Sequence, residues 1–202
     1  MIKNIIFDMG GVLIDWNPHK LIEEVGINKE DHNDVYEQLF KKTEWVALDA
    51  GTISFDDAIK SVNSRLKPHL HDKVSRLITD WHNIYFKSID GMKDLIKQLN
   101  DNGYNIYLLS NASLTQKDYF NMIEGSQYFD GRVTSAEIKL LKPEIAIYKH
   151  ICDKYDLIPE ESFFVDDSPT NVYYAKRFGL KACVFLGVDD FKEEMRKEGI
   201  MI

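Results

Sequence analysis

Residues 5–13 read Ile-Ile-Phe-Asp-Met-Gly-Gly-Val-Leu, an apolar run that leads into one acid and a pair of glycines. The apolar residues before Asp8 predict a short buried strand, and Gly10-Gly11 predicts a turn directly after it. In open α/β sheets, ligands bind in the crevice outside the carboxyl ends of the strands. The stretch therefore predicts that Asp8 lies in a site, although an aspartate before glycine can also serve only the turn.

The composition is that of a globular protein with one domain, or with one core domain and a modest insert. The chain has 202 residues, 44% of them hydrophobic, and a formal net charge of −8. The negative charge and the lack of a basic run argue against a nucleic-acid partner. The apolar runs are too short to span a bilayer, and no signal peptide is evident. We expect a cytoplasmic monomer or weak homodimer with free buried thiols at Cys152 and Cys183.

Residues 16–87 show apolar side chains at helical spacing and no convincing strand. Ser54 is a favourable N-cap, and the stripe from Val74 to Tyr85 predicts one long amphipathic helix. We therefore expect an all-helical insert that stands over the edge of the sheet as a cap. Its aromatic residues are expected to pack in the core, and the possible substrate contacts Trp16, His19 and Trp45 are expected to be packing residues too.

The character of the sequence changes from Asp90, where helical and strand-like segments begin to alternate. Strands are predicted at 104–109, 132–135, 162–165 and 182–186, and a helix is predicted to open at Lys142-Pro143. Such alternation implies βαβ crossovers and a parallel sheet. The predicted fold is an α/β, Rossmann-like parallel sheet core (1–15 and 88–202) with helices on both faces and an inserted helical cap (16–87).

Polar residues stand where the predicted strands end, namely Asp8, Ser110-Asn111 and Asp166-Asp167, and Lys142 precedes a helix. The carboxyl ends of parallel strands meet at one edge, so these side chains can converge. Each residue also has a simpler explanation as a turn, a helix cap or a solvated charge. Finding acids, a hydroxyl and an amine all at strand exits favours a shared site.

Three carboxylates at one edge repel each other, and burial raises the cost. A Mg²⁺ ion removes that repulsion, because it prefers oxygen ligands and is typically held by one or two carboxylates together with substrate phosphate. Lys142 and the Ser110 hydroxyl are then placed to hold phosphate oxygens. Asp8 is the candidate nucleophile, since a carboxylate can form an aspartyl-phosphate.

The order of these four motifs resembles that of the haloacid dehalogenase-like hydrolase superfamily, and the resemblance covers essentially the whole chain. It implies that the predicted helical insert is the cap of this superfamily and that the reaction depends on Mg²⁺. The Asp-Met-Gly-Gly-Val form resembles a branch that includes sugar-phosphate phosphatases such as glucose-1-phosphate phosphatase. By this resemblance, Asp8 is the nucleophile and a metal ligand. The phosphate-binding residues are Ser110, Asn111 and the catalytic Lys142. The other metal ligands are the backbone of Gly10 and the side chain of Asp167, with Asp166 as a supporting acid or second ligand.

Gly10 departs from that resemblance, because most phosphatases of the superfamily carry a second aspartate at this position as general acid and base. A positioned acid typically contributes about 10²–10⁴-fold to the rate. A substrate with a good leaving group, such as an anomeric phosphate, needs less of this help. Otherwise Asp15, His19 or another residue of the insert supplies the proton.

Three functions are consistent with the residues. The first is an Mg²⁺-dependent phosphatase that acts on a small phosphorylated metabolite. The second is a 2-haloacid dehalogenase, in which Asp8 attacks carbon. The pair Asp166-Asp167 argues against it, because metal ligands serve a phosphate and not a haloalkanoate. The third is a protein that binds a phosphorylated ligand without turnover. Loss of activity in EDTA separates the first function from the second, and binding without turnover identifies the third.

Overall fold

The computed structural model describes all residues from Met1 to Ile202. Its centre is a five-stranded sheet in the order β3-β2-β1-β4-β5, and every neighbouring pair is parallel. The strands are β1 (Asn4–Phe7), β2 (Asn105–Ser110), β3 (Gly131–Thr134), β4 (Ser162–Asp166) and β5 (Lys181–Val184). The predicted strands and their parallel arrangement are confirmed.

Alternate residues of the strands face opposite sides of the sheet, and each side is covered by helices. Ile5 and Phe7 belong to a cluster of 37 buried residues that also contains residues of α7 (Met92–Asp101) and α12 (Val188–Lys197). Ile6 belongs to a second cluster of 14, packed against α10 (Ile145–Tyr155) and α11 (Pro169–Phe178). Both faces of a parallel sheet need such cover, so the predicted Rossmann-like architecture is confirmed.

Six α-helices and no strand lie within residues 16–87, and two short helices, α8 (Gln116–Tyr119) and α9 (Ser135–Ile138), flank β3. The six are α1 (Pro18–Glu24), α2 (Lys29–Val35), α3 (Thr43–Asp49), α4 (Phe55–Asn63), α5 (His71–Thr79) and α6 (Trp81–Ile84). The prediction of one long helix from Val74 to Tyr85 is wrong. The backbone of Asp80 is not helical (φ −140°, ψ 22°), and it separates α5 from α6.

The segment that carries α1 to α6 leaves and re-enters the sheet region at neighbouring points. The amide of Asp15 donates to the carbonyl of Lys87 at 2.8 Å, and the amide of Ile89 donates to that of Leu13 at 2.9 Å. We call residues 16–87 the insert. The larger apolar cluster runs from the sheet into this insert, and the domain boundaries stay a prediction.

The prediction that a helix opens at Lys142-Pro143 is also wrong. These residues lie in a turn in which the Glu144 amide donates to the Leu141 carbonyl at 2.8 Å, and α10 begins only at Ile145. The turn lets Lys142 reach the sheet edge instead of following a helix axis. Cys152 and Cys183 are free and buried, as predicted. None of the helices has both the length and the apolar character needed to cross a membrane.

Candidate active site

A cavity of about 190 Å³ opens at the carboxyl ends of the strands. Asp8 follows β1, and its amide donates to the carbonyl of Val165 on β4 at 2.9 Å. Asn111 follows β2, and Asp167 follows β4. All three line the cavity together with Lys142. The predicted convergence of residues from distant parts of the sequence is therefore observed.

Lys142 is the buried cation of this edge. Its Nζ lies 2.6 Å from Asp8 Oδ1 and 2.7 Å from Asp166 Oδ2, with only 4% of the residue exposed. Burial lowers the pKa of the ammonium group, but Asp8 and Asp166 raise it by more, so it lies above its ordinary value. Lys142 is therefore charged at neutral pH and holds two carboxylates in fixed positions.

The pKa of Asp8 is shifted in the opposite sense from that of an ordinary paired carboxylate. Burial raises this pKa, the Lys142 ammonium lowers it, and the charge of Asp166 raises it again, with a net rise to about 7. The shift shows that one buried cation does not fully compensate two buried carboxylates. The edge can therefore accept further positive charge.

Asp166 and Asp167 are adjacent in sequence but differ in surroundings. Asp166 is fully buried, and its Oδ1 accepts hydrogen bonds from the Ser168 amide (2.8 Å) and from Asn171 Nδ2 (2.9 Å), while its Oδ2 contacts Lys142. Asp167 is exposed and lines the cavity. Because its oxygens are already occupied, Asp166 fits a supporting position, whereas Asp167 is open to a ligand.

The three carboxylates fit a divalent cation. Oxygen atoms of Asp8, Asp166 and Asp167 lie within 4.8 Å of one another. Gly10 lines the same cavity, and metal binding by its carbonyl group stays a prediction. Oxygen-only ligands and a partly open site are what Mg²⁺ favours.

The motif Ser110-Asn111 divides into two parts. The Asn111 side chain donates to the Lys142 carbonyl at 2.9 Å and accepts from the Lys142 amide at 2.8 Å, so it fixes the backbone that carries the lysine. Ser110 is buried at the end of β2 and is not among the residues that line the cavity, whereas Ala112 and Ser113 are. Direct phosphate binding by Ser110 and Asn111 stays a prediction.

Gly10, where the resemblance leads one to expect a second acid, faces a tryptophan. A Cβ atom added to Gly10 would lie 3.3 Å from Trp16 Cβ, which is tighter than ordinary contact. A side chain at position 10 would therefore require a small shift of Trp16. The absence of a side chain at position 10 thus accompanies the close approach of Trp16.

The insert supplies an aromatic wall to the cavity, formed by Trp16, Trp45 and Trp81. The Trp16 ring centroid lies 5.3 Å from that of Trp45 and 5.0 Å from that of Trp81. Trp16 and Trp45 pack against other aromatic rings, as expected, and both also line the cavity. His19 does not line it; its ring stacks on Tyr36 at 4.2 Å.

Sequence reasoning missed four polar residues that line the cavity, namely Asp49, Ser113, Tyr119 and Asn171. Asn171 carried a usable signal, since it lies in the first turn of a helix capped by Ser168 and follows the paired acids closely. Asp49 and Tyr119 carried none, because they end short helices far from any strand. Asp15, a predicted proton donor, instead accepts a hydrogen bond from the Tyr85 hydroxyl at 2.6 Å and does not line the cavity.

Comparison with known proteins agrees with this geometry. Residues 2–179 match the haloacid dehalogenase-like hydrolase family. The chain is 27% identical to D-ribitol-5-phosphate phosphatase of Bacteroides thetaiotaomicron, with 96% of this chain and 97% of the relative covered. It is 26% identical to a sesquiterpene phosphatase of Aspergillus oryzae, with 88% and 87% covered.

Solved structures share the fold. One is a HAD family enzyme of Bacteroides thetaiotaomicron in complex with magnesium and inorganic phosphate, with a TM-score of 0.76, 24% identity and coverage of 96% of this chain and 98% of that one. A dehalogenase matches with a TM-score of 0.69 and 16% identity, over 92% and 85% of the two chains. The family match extends over residues 2–179, which is most of the sequence, and it includes every strand-end motif. The chain therefore belongs to the haloacid dehalogenase-like hydrolase family.

Proposed function

We propose that this protein is an Mg²⁺-dependent phosphatase that acts on a small phosphorylated metabolite through an aspartyl-phosphate on Asp8. The observation that carries the proposal is the ion pair of 2.6 Å between Asp8 and the buried Lys142, next to an exposed Asp167 at the same cavity. The phosphatase names of two relatives that match over most of their length support it.

The surroundings of Asp8 support its proposed role as the nucleophile. Its backbone is held by β4 and one of its oxygens by Lys142, so the carboxylate has little freedom to move. Such positioning, together with positive charge near the transferring group, is the main need of phosphoryl transfer. Lys142 can supply that charge, and Asn111 keeps its backbone in place.

Asp8, the carbonyl of Gly10 and Asp167 would hold the metal ion, with Asp166 in support. When bound, the ion supplies positive charge that offsets the charge of the transferring phosphoryl group. Asp166 keeps Lys142 beside the nucleophile and is itself held by Asn171.

The aromatic wall gives the leaving group an apolar surface on which a sugar ring or a hydrocarbon can lie. Three tryptophans at this wall and a cavity of about 190 Å³ favour a compact substrate. We propose a small phosphate monoester, with sugar phosphates as the first class to test.

The dehalogenase alternative has weaker support. The match to a dehalogenase concerns the fold, and its identity of 16% is below that of the relatives named as phosphatases. An exposed carboxylate at Asp167 has a use in metal binding and none in the displacement of a halide. Binding of phosphate without turnover remains an outcome of the test.

The test is hydrolysis of p-nitrophenyl phosphate and a panel of sugar and polyol phosphates, with Mg²⁺ and with EDTA. We expect phosphate release that requires Mg²⁺. Activity that persists in EDTA, halide release from a 2-haloacid, or phosphate binding without turnover by the folded protein would each contradict the proposal.

A further inference from the structure

With glycine at position 10, the proposed active site has no acid at the position where the resemblance leads one to expect the proton donor for the leaving group. The structure removes two of the candidates considered from the sequence, because neither Asp15 nor His19 lines the cavity. A side chain at position 10 would crowd Trp16. An alkoxide is a poor leaving group without a proton, so a phosphatase that acts on an alkyl phosphate needs another donor at this cavity.

Asp49 is the acid that the insert brings to the cavity. It is the last residue of α3 and lines the same cavity as Asp8 and Lys142. It takes no part in the ion pairs that tie Asp8 and Asp166 to Lys142. Its carboxyl group is therefore not committed to a neighbouring cation, as those two are.

The end of α3 is fixed against the sheet region. The Ser135 hydroxyl donates to the Asp49 carbonyl at 2.5 Å and accepts from the amide of Ala112, which also lines the cavity, at 2.9 Å. A Cβ atom at Gly51, where φ is +63°, would lie 2.4 Å from the carbonyl oxygen of Ala136. The backbone of the insert thus approaches α9 more closely than any side chain would allow, and this contact sets the position of Asp49.

The surroundings favour a carboxyl group that keeps its proton. Burial and the charge of Asp8 raise the pKa of Asp49 well above its usual value, although Lys142 lowers it. Tyr119 also lines the cavity, and burial and Asp49 raise the pKa of its hydroxyl. A hydroxyl with a raised pKa is a weaker proton donor than a carboxyl group, so Asp49 is the better acid of the two.

We propose that Asp49 is the general acid and base of the reaction, an inference that rests on the proposed phosphatase function. As Asp8 Oδ forms its bond to phosphorus, the bond from phosphorus to the leaving oxygen breaks. The electron pair stays on that oxygen, and the Asp49 proton moves to it. Water then attacks the aspartyl-phosphate and gives its proton to the Asp49 carboxylate. The bond from phosphorus to Asp8 breaks, which releases phosphate and restores both acids.

The test compares leaving groups in the substitution Asp49→Asn, with kcat/KM as the measure because it reports only the steps up to leaving-group release. For an alkyl phosphate such as ribitol 5-phosphate or glycerol phosphate, we expect a loss of about 10²–10⁴-fold. For p-nitrophenyl phosphate, whose leaving phenolate needs no proton, we expect a loss of less than about 10-fold, and this retained activity shows that the variant is folded.

A second readout follows the dephosphorylation step. Without its base, the Asp49→Asn protein should release a burst of p-nitrophenol close to one equivalent per active site before a slow steady state. Asp49→Glu keeps a carboxyl group and should recover part of the activity towards alkyl phosphates. Asp15→Asn removes an acid that does not line the cavity, and it should leave the ratio between the two substrates unchanged.

Equal losses for both substrates, or no loss for the alkyl phosphate, would overturn the role of Asp49 while leaving the phosphatase proposal intact. A changed ratio in Asp15→Asn but not in Asp49→Asn would assign the proton to Asp15 instead. Absence of turnover by the unaltered protein on every phosphate ester would overturn both proposals together.

Discussion

The two sides of the cavity are built differently. The side formed by the strand ends consists of charged groups, with Lys142 paired to Asp8 and Asp166 at 2.6 and 2.7 Å. The opposite side, formed largely by the insert, consists of tryptophan rings and the unpaired Asp49. We expect the charges at the strand ends to serve the phosphoryl group, which the proposed substrates share. We expect the tryptophans of the insert to contact the leaving group, so changes to these rings should alter selectivity more than the reaction itself, whereas Asp49 is proposed to act in the reaction.

The largest expected effect comes from Asp8→Asn at the strand-end side. The substitution removes the proposed nucleophile but keeps the shape of the side chain, and loss of a nucleophile can cost on the order of 10⁶-fold in kcat. We expect a loss of at least about 10³-fold for every substrate, measured as phosphate release. Asp15→Asn serves as the matched control, because Asp15 does not line the cavity. A loss that depended on the substrate would break the proposed division between the two sides.

Asp166→Asn and Asp167→Asn sharpen the comparison within the strand-end side. Asp166 is buried against Lys142, so its replacement should lower the free energy of unfolding by about 2–3 kcal/mol. Asp167 is exposed, so its replacement should change stability by less than about 0.5 kcal/mol but raise the Mg²⁺ concentration needed for half-maximal activity. Urea unfolding and Mg²⁺ titrations measure these effects. Equal destabilisation by both substitutions would show that the two acids do not differ as described.

Trp45→Ala tests the insert side. The substitution removes part of the aromatic wall, and we expect KM for the best substrate to rise about 10-fold, equivalent to about 1.4 kcal/mol. Inhibition by inorganic phosphate should stay the same, because we expect phosphate to bind at the strand-end side. An equal rise in the inhibition constant of phosphate would show that Trp45 acts on the whole site and not on the leaving group.

The smallest effect is expected from Glu44→Gln, which changes α3 away from the cavity. Arg65 Nη1 contacts Glu44 Oε1 at 2.7 Å, and this contact, with burial opposing it, lowers the Glu44 pKa from 4.5 to about 2. A lowered pKa stabilises the fold above the unfolded value near 4.5, and this stabilisation is lost as the pH falls towards 2. We expect Glu44→Gln to cost about 1 kcal/mol at pH 7 with no change in kcat/KM, and the cost should shrink below pH 4.5.

Thermal or urea unfolding at several pH values measures this difference. Lys149→Met, which removes one partner of an exposed ion pair with Asp153, is the control and should cost less than about 0.5 kcal/mol at each pH. A Glu44→Gln penalty that stayed constant down to pH 2 would contradict the assignment of the lowered pKa to Arg65.

The strand-end side was predictable from the sequence, and the insert side was not. The position of Asp8, Asp166 and Asp167 at one edge follows from local strand patterns and from the rule that parallel strands end at the same edge. Asp49 ends a helix whose orientation depends on the close approach of Gly51 to Ala136, a contact between residues far apart in the chain. No local pattern reports such a contact.

The errors in secondary structure have the same origin. Apolar spacing continues from α5 through α6, yet the chain turns at Asp80 because Trp81 packs against Trp16 and Tyr119 at 5.0 and 4.9 Å. Lys142-Pro143 resembles a helix start, but the ion pairs of Lys142 hold it at the sheet edge. In both places, contacts with distant residues outweigh the local preference.

The most direct test of the central claim is to trap the phosphorylated enzyme. The protein is mixed with p-nitrophenyl phosphate and Mg²⁺, quenched in acid within the first turnover and analysed by mass spectrometry after digestion. We predict one added phosphoryl group on the peptide that contains Asp8, and none in the Asp8→Asn protein or in EDTA. Turnover with no phosphorylated peptide, or with the phosphoryl group on another residue, would contradict the account.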